Sequence, residues 1–188
     1  MILLIGNGPS ADVPEVAAAM TKATRVLRMN NWQPGRYIGE RCDIWGTSFN
    51  VDIVARRPTQ EVWWTGWPYG CPGFDDYYKV VTCQQWNRYD RVASRALIDR
   101  AFSATSPKHP STGIVLALMA AEIGEPISLA GFDHFSGPRH HYWTNDPAIC
   151  DPFQYHDPES ERKILEELGL LPIDGESTFI PWAASQSS

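Results

Sequence analysis

The sequence predicts an α/β fold: a Rossmann-like parallel sheet flanked by helices. Two observations carry that prediction. Short apolar runs of strand length alternate with helical patterns at both ends of the chain, and the joints between them are rich in Gly, Asn, Ser and Pro. Taken in order, "MILLIG" (Met1–Gly6) reads as a buried strand and "VPEVAAAMTK" (Val13–Lys22) as a helix begun near Pro14. "ATRVLRMN" (Ala23–Asn30) and "CDIWGTSF" (Cys42–Phe49) read as the second and third strands. Residues Val62–Tyr89 are dense in Trp, Tyr, Gly and Pro and predict irregular structure with short helices. "DRVASRALIDRAFSA" (Asp90–Ala104) has apolar residues at helical spacing with Arg between them, the pattern of a surface helix. The apolar helix "GIVLALMAAEIG" (Gly113–Gly124) and the strand "PISLAG" (Pro126–Gly131) resume the β/α alternation. The last helix, "PESERKILEEL", has Asp157 as its N-cap, Pro158 at its first position and Gly169 just past its end. No repeat or linker divides the chain, so one domain is expected over residues 1–175, followed by a loosely attached tail, 176–188.

With 43% hydrophobic and 20% charged residues, the 188-residue chain has an ordinary globular composition and enough length for one core. A net charge of −6 argues against a general binder of nucleic-acid backbones. Any anionic ligand has to be met by local positive groups. The "MILLIG" run is too short for a signal peptide and lacks a basic start, and no apolar stretch approaches the roughly 20 residues of a membrane span. A cytoplasmic protein is expected. Cys42, Cys71, Cys83 and Cys150 show no C-x-x-C spacing, so reduced thiols are the expectation.

"GNGPSA" (Gly6–Ala11) follows a strand and satisfies G-x-G-x-x-A, the dinucleotide fingerprint. Its context does not. Pro14 falls early in the helix, and the second strand ends in Arg28-Met29-Asn30 with no acid to take a ribose hydroxyl, so a nicotinamide cofactor is not expected. A tight turn without a ligand is the plain alternative. Between the two, Asn7 and Asn30 stand just beyond two strands, at the carboxyl edge where open α/β sheets bind ligands, and carboxamides there can read a nucleotide.

Ser111-Thr112-Gly113 stands before a buried helix, whose start offers unpaired amides and partial positive charge. A simple cap explains it equally well. Lys108 and His109 upstream, and "GPRHHYW" (Gly137–Trp143) after the next strand, would add local positive and hydrogen-bonding character. Among His134, His140, His141 and His156 there is no H-E-x-x-H spacing, and the sequence has no D-x-D-like carboxylate pair, so no metal is expected. His156 directly precedes a helix start, which disfavours its charged form, while Asp157 favours it. A neutral imidazole there would suit a general base.

These segments, in order, resemble the sialyltransferases. "ILLIGNGPS" with "VLRMN" resembles the family's large motif, and "HPSTGIVLALMAAEIGEPISLAGFD" (His109–Asp133) its small motif. "HHYW" (His140–Trp143) resembles the short His-Tyr motif, and "HDPESE" (His156–Glu161) fits the final H-x-x-x-x-E. The turn is most like that of bacterial lipooligosaccharide enzymes, the small motif more like that of animal enzymes. The resemblance implies a variant of the glycosyltransferase A fold and inverting, metal-independent transfer of sialic acid from CMP-sialic acid to a glycan hydroxyl, with no cofactor. It implies that Asn7 and Asn30, with Gly6 and Gly8 of the turn, contact CMP. Ser111, Thr112 and Gly113 would meet the donor's phosphate or carboxylate, with Asp133 closing that motif, and His141 and Tyr142 the leaving phosphate. His156 would be the base.

Where animal relatives join two motifs by a disulfide, this chain has Ile2 and Gly124. Ser48 stands where bacterial relatives have asparagine, with Asn50 two residues on, and His109 where they have arginine. Another CMP-ulosonic acid such as Kdo, or a nucleotide-binding module without turnover, remain alternatives. Trp63, Trp64, Trp67, Tyr77 and Tyr78 could stack on acceptor sugars or fill core.

Overall fold

A computed structural model describes residues 1–48, 60–66, 89–134, 141–142 and 155–170. Six parallel strands form one sheet: β1 (Ile2–Ile5), β2 (Arg25–Met29), β3 (Ile44–Thr47), β4 (Glu61–Trp64), β5 (Arg91–Val92) and β6 (Ile127–Ala130). Their spatial order is β5-β4-β3-β2-β1-β6. The chain therefore steps outward from β1 to β5 and then returns to lay β6 on the other side of β1. That reversal makes the β1/β6 boundary the switch point of the sheet, and the carboxyl ends of β1 and β6 open there. The α/β architecture expected from the sequence is present.

Strand periodicity divides the core in two. Ile2 and Leu4 of β1, with Leu27 and Met29 of β2, face the larger cluster, which takes in α2 (Arg95–Thr105), α3 (Thr112–Glu122) and α4 (Pro158–Glu167). Leu3 and Ile5, with Val26, face the smaller cluster, which holds Val16 and Met20 of α1 (Pro14–Lys22). Helix α3 lies in the middle of the larger cluster. Gly113–Ala120 are all buried, which is why it is apolar all round rather than striped. No helix among the described residues is long and apolar enough to cross a membrane.

Two expectations need correction. Irregular structure was expected from Val62, but Glu61–Trp64 form β4, paired to β3 in register Gly46↔Trp63 and Thr47↔Trp64. Trp63 and Trp64 are 0% exposed, and Trp64 stacks on Tyr89 with ring centroids 5.8 Å apart. They fill core, so a sugar-stacking role for these two is excluded by burial. Trp67, Tyr77 and Tyr78 lie outside the described residues. The helix expected from Asp90 starts at Arg95 because Arg91–Val92 pair with β4. Ser94 then caps α2, accepting the Leu97 N–H at 3.1 Å. The tail 176–188 also lies outside the described residues.

At the switch point backbones approach closely. The Gly6 N–H donates to the Ala130 carbonyl at 2.7 Å, and a Cβ on Gly6 would press into the Gly131 carbonyl group, whose carbon would be 2.9 Å away. Neither backbone can yield without opening the β1/β6 pairing. Gly6→Ala should therefore lower stability by about 1–3 kcal/mol, the usual cost of overpacking. Urea unfolding of the variant checks this, and an unchanged midpoint would show that the turn can shift freely.

Candidate functional site

The carboxyl edge gathers most of the polar residues singled out from the sequence. After β1, the turn runs Gly6-Asn7-Gly8 into a short 3-10 turn, Pro9–Ala11. Asp133, beyond β6, holds this turn down by accepting the Ser10 N–H at 2.9 Å and the Ser10 hydroxyl. A Cβ on Gly8 would sit 2.5 Å from the Asp133 carboxylate, so glycine is needed for that approach. Asp133 therefore braces the Gly-Asn-Gly turn. The Asn7 carbonyl accepts the Tyr142 N–H at 2.9 Å, while its side-chain Oδ1 is buried with no partner among the described residues.

Asn30 ties three elements together. It takes a left-handed conformation at the end of β2, with φ +48°, which asparagine tolerates better than most residues. Its Oδ1 accepts the Ser48 N–H at 3.2 Å and the Ser48 hydroxyl at 3.3 Å, and its Nδ2 donates to Thr112 Oγ1 at 3.1 Å. The Trp45 indole N–H donates to the Asn30 carbonyl at 2.9 Å. Asn30, Ser48 and Thr112, which are far apart in sequence, thus meet at the start of α3.

The Ser-Thr-Gly corner already holds an anion group of the protein's own. Glu161, on α4 and 4% exposed, accepts the Ser111 N–H at 2.6 Å and the Ser111 hydroxyl at 2.9 Å. Ser111 Oγ in turn accepts the Ile114 N–H at 3.4 Å as the N-cap of α3. Ser111 is thereby engaged by Glu161 and by its own helix. The amides of Thr112 and Gly113 take no partner among the described residues.

His156 sits beside this cap. Its Nδ1 is 2.9 Å from the His109 carbonyl oxygen and 4.0 Å from Glu161 Oε1, and the His109 N–H donates to the Tyr155 carbonyl at 2.8 Å. A carbonyl only accepts, so a neutral His156 carries its proton on Nδ1, and Nε2 is the unprotonated ring nitrogen. Burial holds its pKa below the ordinary histidine value. The His109 carbonyl opposes this, and the charges of His109 and Lys108 reinforce it. Asp157, the suspected opposing charge, caps α4 instead, accepting the Ser160 hydroxyl at 2.7 Å. Burial pushes Glu161 up to about 7, against the pull of the two Ser111 donors.

Tyr142 packs into the smaller core cluster. Its hydroxyl is turned inward, donating to the Gln33 carbonyl and accepting from the Arg28 guanidinium. Burial raises its pKa, and Arg28 opposes that rise. It is 8% exposed. His141 is half-buried beside it, and its neighbours His140 and Trp143 lie outside the described residues, as does Asn50. Among the described residues no group of three or more His, Cys, Asp or Glu side chains could hold a metal ion.

The raised Glu161 pKa has a stability consequence. Between its ordinary value of 4.5 and about 7, the folded state binds a proton that the unfolded state releases, so this contribution is full at low pH and is lost as pH rises through that window. His156 acts oppositely, its lowered pKa favouring folding at high pH. Glu161→Gln removes only the first. The stability difference, wild type minus variant, should fall by about 3 kcal/mol between pH 4.5 and 7.5. Urea unfolding of both proteins at the two pH values tests this, and a constant difference would contradict it.

The family model for glycosyltransferase family 29 (sialyltransferase) matches residues 82–170, which hold the Ser-Thr-Gly corner, β6, His156 and Glu161. The crystal structure of a mammalian sialyltransferase in complex with Gal-beta-1-3GalNAc-ortho-nitrophenol is similar to this chain with a TM-score of 0.60 at 18% identity. That similarity covers 92% of this chain and 68% of the mammalian one. No curated protein matches. With the family's segment at residues 82–170 set in a glycosyltransferase A-like sheet of the mammalian enzyme's kind, this chain is sialyltransferase-like.

Proposed function

We propose that this protein transfers sialic acid from CMP-sialic acid to a glycan hydroxyl, with inversion and without a metal. One observation supports this most. His156 is held through Nδ1 by the His109 carbonyl, which makes Nε2 the basic nitrogen, on the same helix-start assembly that reaches Asn30 through Thr112. In this reading, His156 Nε2 removes the acceptor proton as the acceptor oxygen attacks the donor's anomeric carbon. The bond from that carbon to the phosphate oxygen breaks with its electron pair leaving on CMP. The anomeric carbon has oxocarbenium-like character as it departs, so rate depends on stabilising the leaving phosphate. Candidates for that task are the Thr112 and Gly113 amides, the second Nδ2 proton of Asn30, and His141. Tyr142, its hydroxyl committed to Gln33 and Arg28, acts by holding this segment. The unpartnered Asn7 Oδ1 suits a donor group of the nucleotide. A glycan hydroxyl as acceptor is supported by the sugar named with the mammalian structure.

CMP should raise the melting temperature while NAD and NADP leave it unchanged, because ligands stabilise the state that binds them and β2 ends in Asn30 rather than an acid. A dinucleotide shift exceeding that of CMP would overturn the assignment.

His156→Ala, assayed with excess EDTA present throughout, should keep CMP affinity near the wild-type value while lowering transfer by roughly 10²- to 10⁴-fold, the usual contribution of a positioned base. Wild-type turnover should survive the chelator and decline at acid pH as His156 protonates. Transfer by the variant at the wild-type rate would remove His156 from the mechanism, and loss of wild-type turnover in EDTA would remove metal independence.

A further inference from the structure

The largest buried charge in the described residues is Arg28, in β2, 0% exposed. Strand alternation puts it on the same face as Val26, toward the smaller core cluster that includes Tyr142. Its guanidinium is bound by neutral groups. Nη1 donates to the Gly39 carbonyl at 2.9 Å, Nη2 donates to the Gln33 carbonyl at 2.9 Å and to the Tyr142 hydroxyl, and the Trp32 ring lies 4.1 Å from its Cζ. Nε is buried with no partner among the described residues. Asp12 acts on Arg28 only through space, its carboxylate being bonded to the backbone N–H groups of Arg36, Tyr37 and Ile38.

A buried cation held by carbonyls and a phenol costs more than an apolar residue of the same shape, so stability alone does not account for it. What it accomplishes is geometric. Arg28 and the Gln33 carbonyl both hold the Tyr142 hydroxyl, and the Tyr142 N–H binds the Asn7 carbonyl at 2.9 Å. The residue before Tyr142 is His141. Arginine suits this clamp because its planar fork reaches two carbonyls and a hydroxyl together, which the single ammonium of lysine cannot do with the same geometry.

We propose that Arg28 is a positioning residue: through the Tyr142 hydroxyl it fixes the 141–142 segment against the Asn7 turn and so aims His141 at the ligand. As a statement about catalysis this rests on the function proposed above, with His141 facing the donor's phosphate.

The test uses the full chain with Arg28→Met, Arg28→Lys, Tyr142→Phe, His141→Ala and the pairwise combinations. Tyr142→Phe keeps the ring in its core position and removes only the tether, so it tests the proposal even if Arg28→Met fails to fold. The first readout is the titration of the His141 ring by NMR in the free protein. Tyr142→Phe and Arg28→Lys should both move its midpoint or its resonance, and an unmoved His141 in Tyr142→Phe would overturn the proposal. The second readout is hydrolysis of CMP-sialic acid. Tyr142→Phe and Arg28→Lys should each lower kcat by about 10²-fold, the scale of a slightly misplaced group, with KM changed by much less. Adding His141→Ala to Tyr142→Phe should cost little more than either change alone, because both remove the same contribution. Multiplying effects, or a wild-type kcat in folded Tyr142→Phe, would overturn it. A wild-type protein that neither binds CMP nor hydrolyses the donor, yet shows the His141 response, would sink the functional reading and leave the clamp standing.

Discussion

The site depends on one carboxyl group placed across a helix start. Helix α3 has no acidic residue in its first turn and is buried from Gly113 to Ala120, so its start draws an acceptor from elsewhere in the chain. Glu161 supplies one from another helix, binding both the N–H and the hydroxyl of the cap residue Ser111, whose Oγ accepts the Ile114 N–H. Helix α4 can spare this carboxylate because Asp157 caps its own start. The five-residue spacing from His156 to Glu161 then has a physical meaning. A histidine one residue before the cap and a glutamate in the first turn are both brought to α3, one against the His109 carbonyl and the other on Ser111. The two contacts lie side by side, with His156 Nδ1 4.0 Å from Glu161 Oε1.

Much of this was readable in the sequence because local rules dominate there. β1, β2, β3 and β6 are short apolar runs, and parallel strands covered on both faces must be so. Pro14, Asp157, Pro158 and Gly169 mark helix ends by mechanisms that need only neighbours. β4 escaped because Trp63 and Trp64 lie in a stretch whose composition suggests loops, and only pairing with β3 makes them core. The partners of Ser111 and Tyr142 were not readable for a related reason. A hydroxyl near a helix start or in a His-Tyr pair looks free in one dimension, but Glu161 and Arg28, 50 and 114 residues away along the chain, occupy them. Arg28 did leave a trace: a charge inside an apolar strand run demands a buried partner set. Nothing local identified what that set would be.

The same polar groups therefore serve fold and site together. Asn30 closes β2 against β3 and α3 with nearly its whole carboxamide, leaving one Nδ2 proton. Asp133 braces the Gly-Asn-Gly turn, and Gly8 is glycine to admit it. Residues of this kind resist simple division into structural and functional. Their geometry is rigid because the fold needs it, and that rigidity is what a ligand site requires.

A chain with a net charge of −6 can meet an anionic ligand only where positive potential is gathered locally. Two sources converge on the carboxyl edge. One is the start of α3, whose Thr112 and Gly113 amides take no partner among the described residues while Glu161 covers Ser111. With its pKa raised to about 7, Glu161 is only partly ionised at neutral pH, so it satisfies hydrogen bonds without fully cancelling the helix field. The other is Arg28, whose hydrogen-bond partners are neutral, so its charge is not quenched by a bonded carboxylate. Fixed charges and dipoles of this sort act at short range in a partly dry site, where they count for more than surface charge.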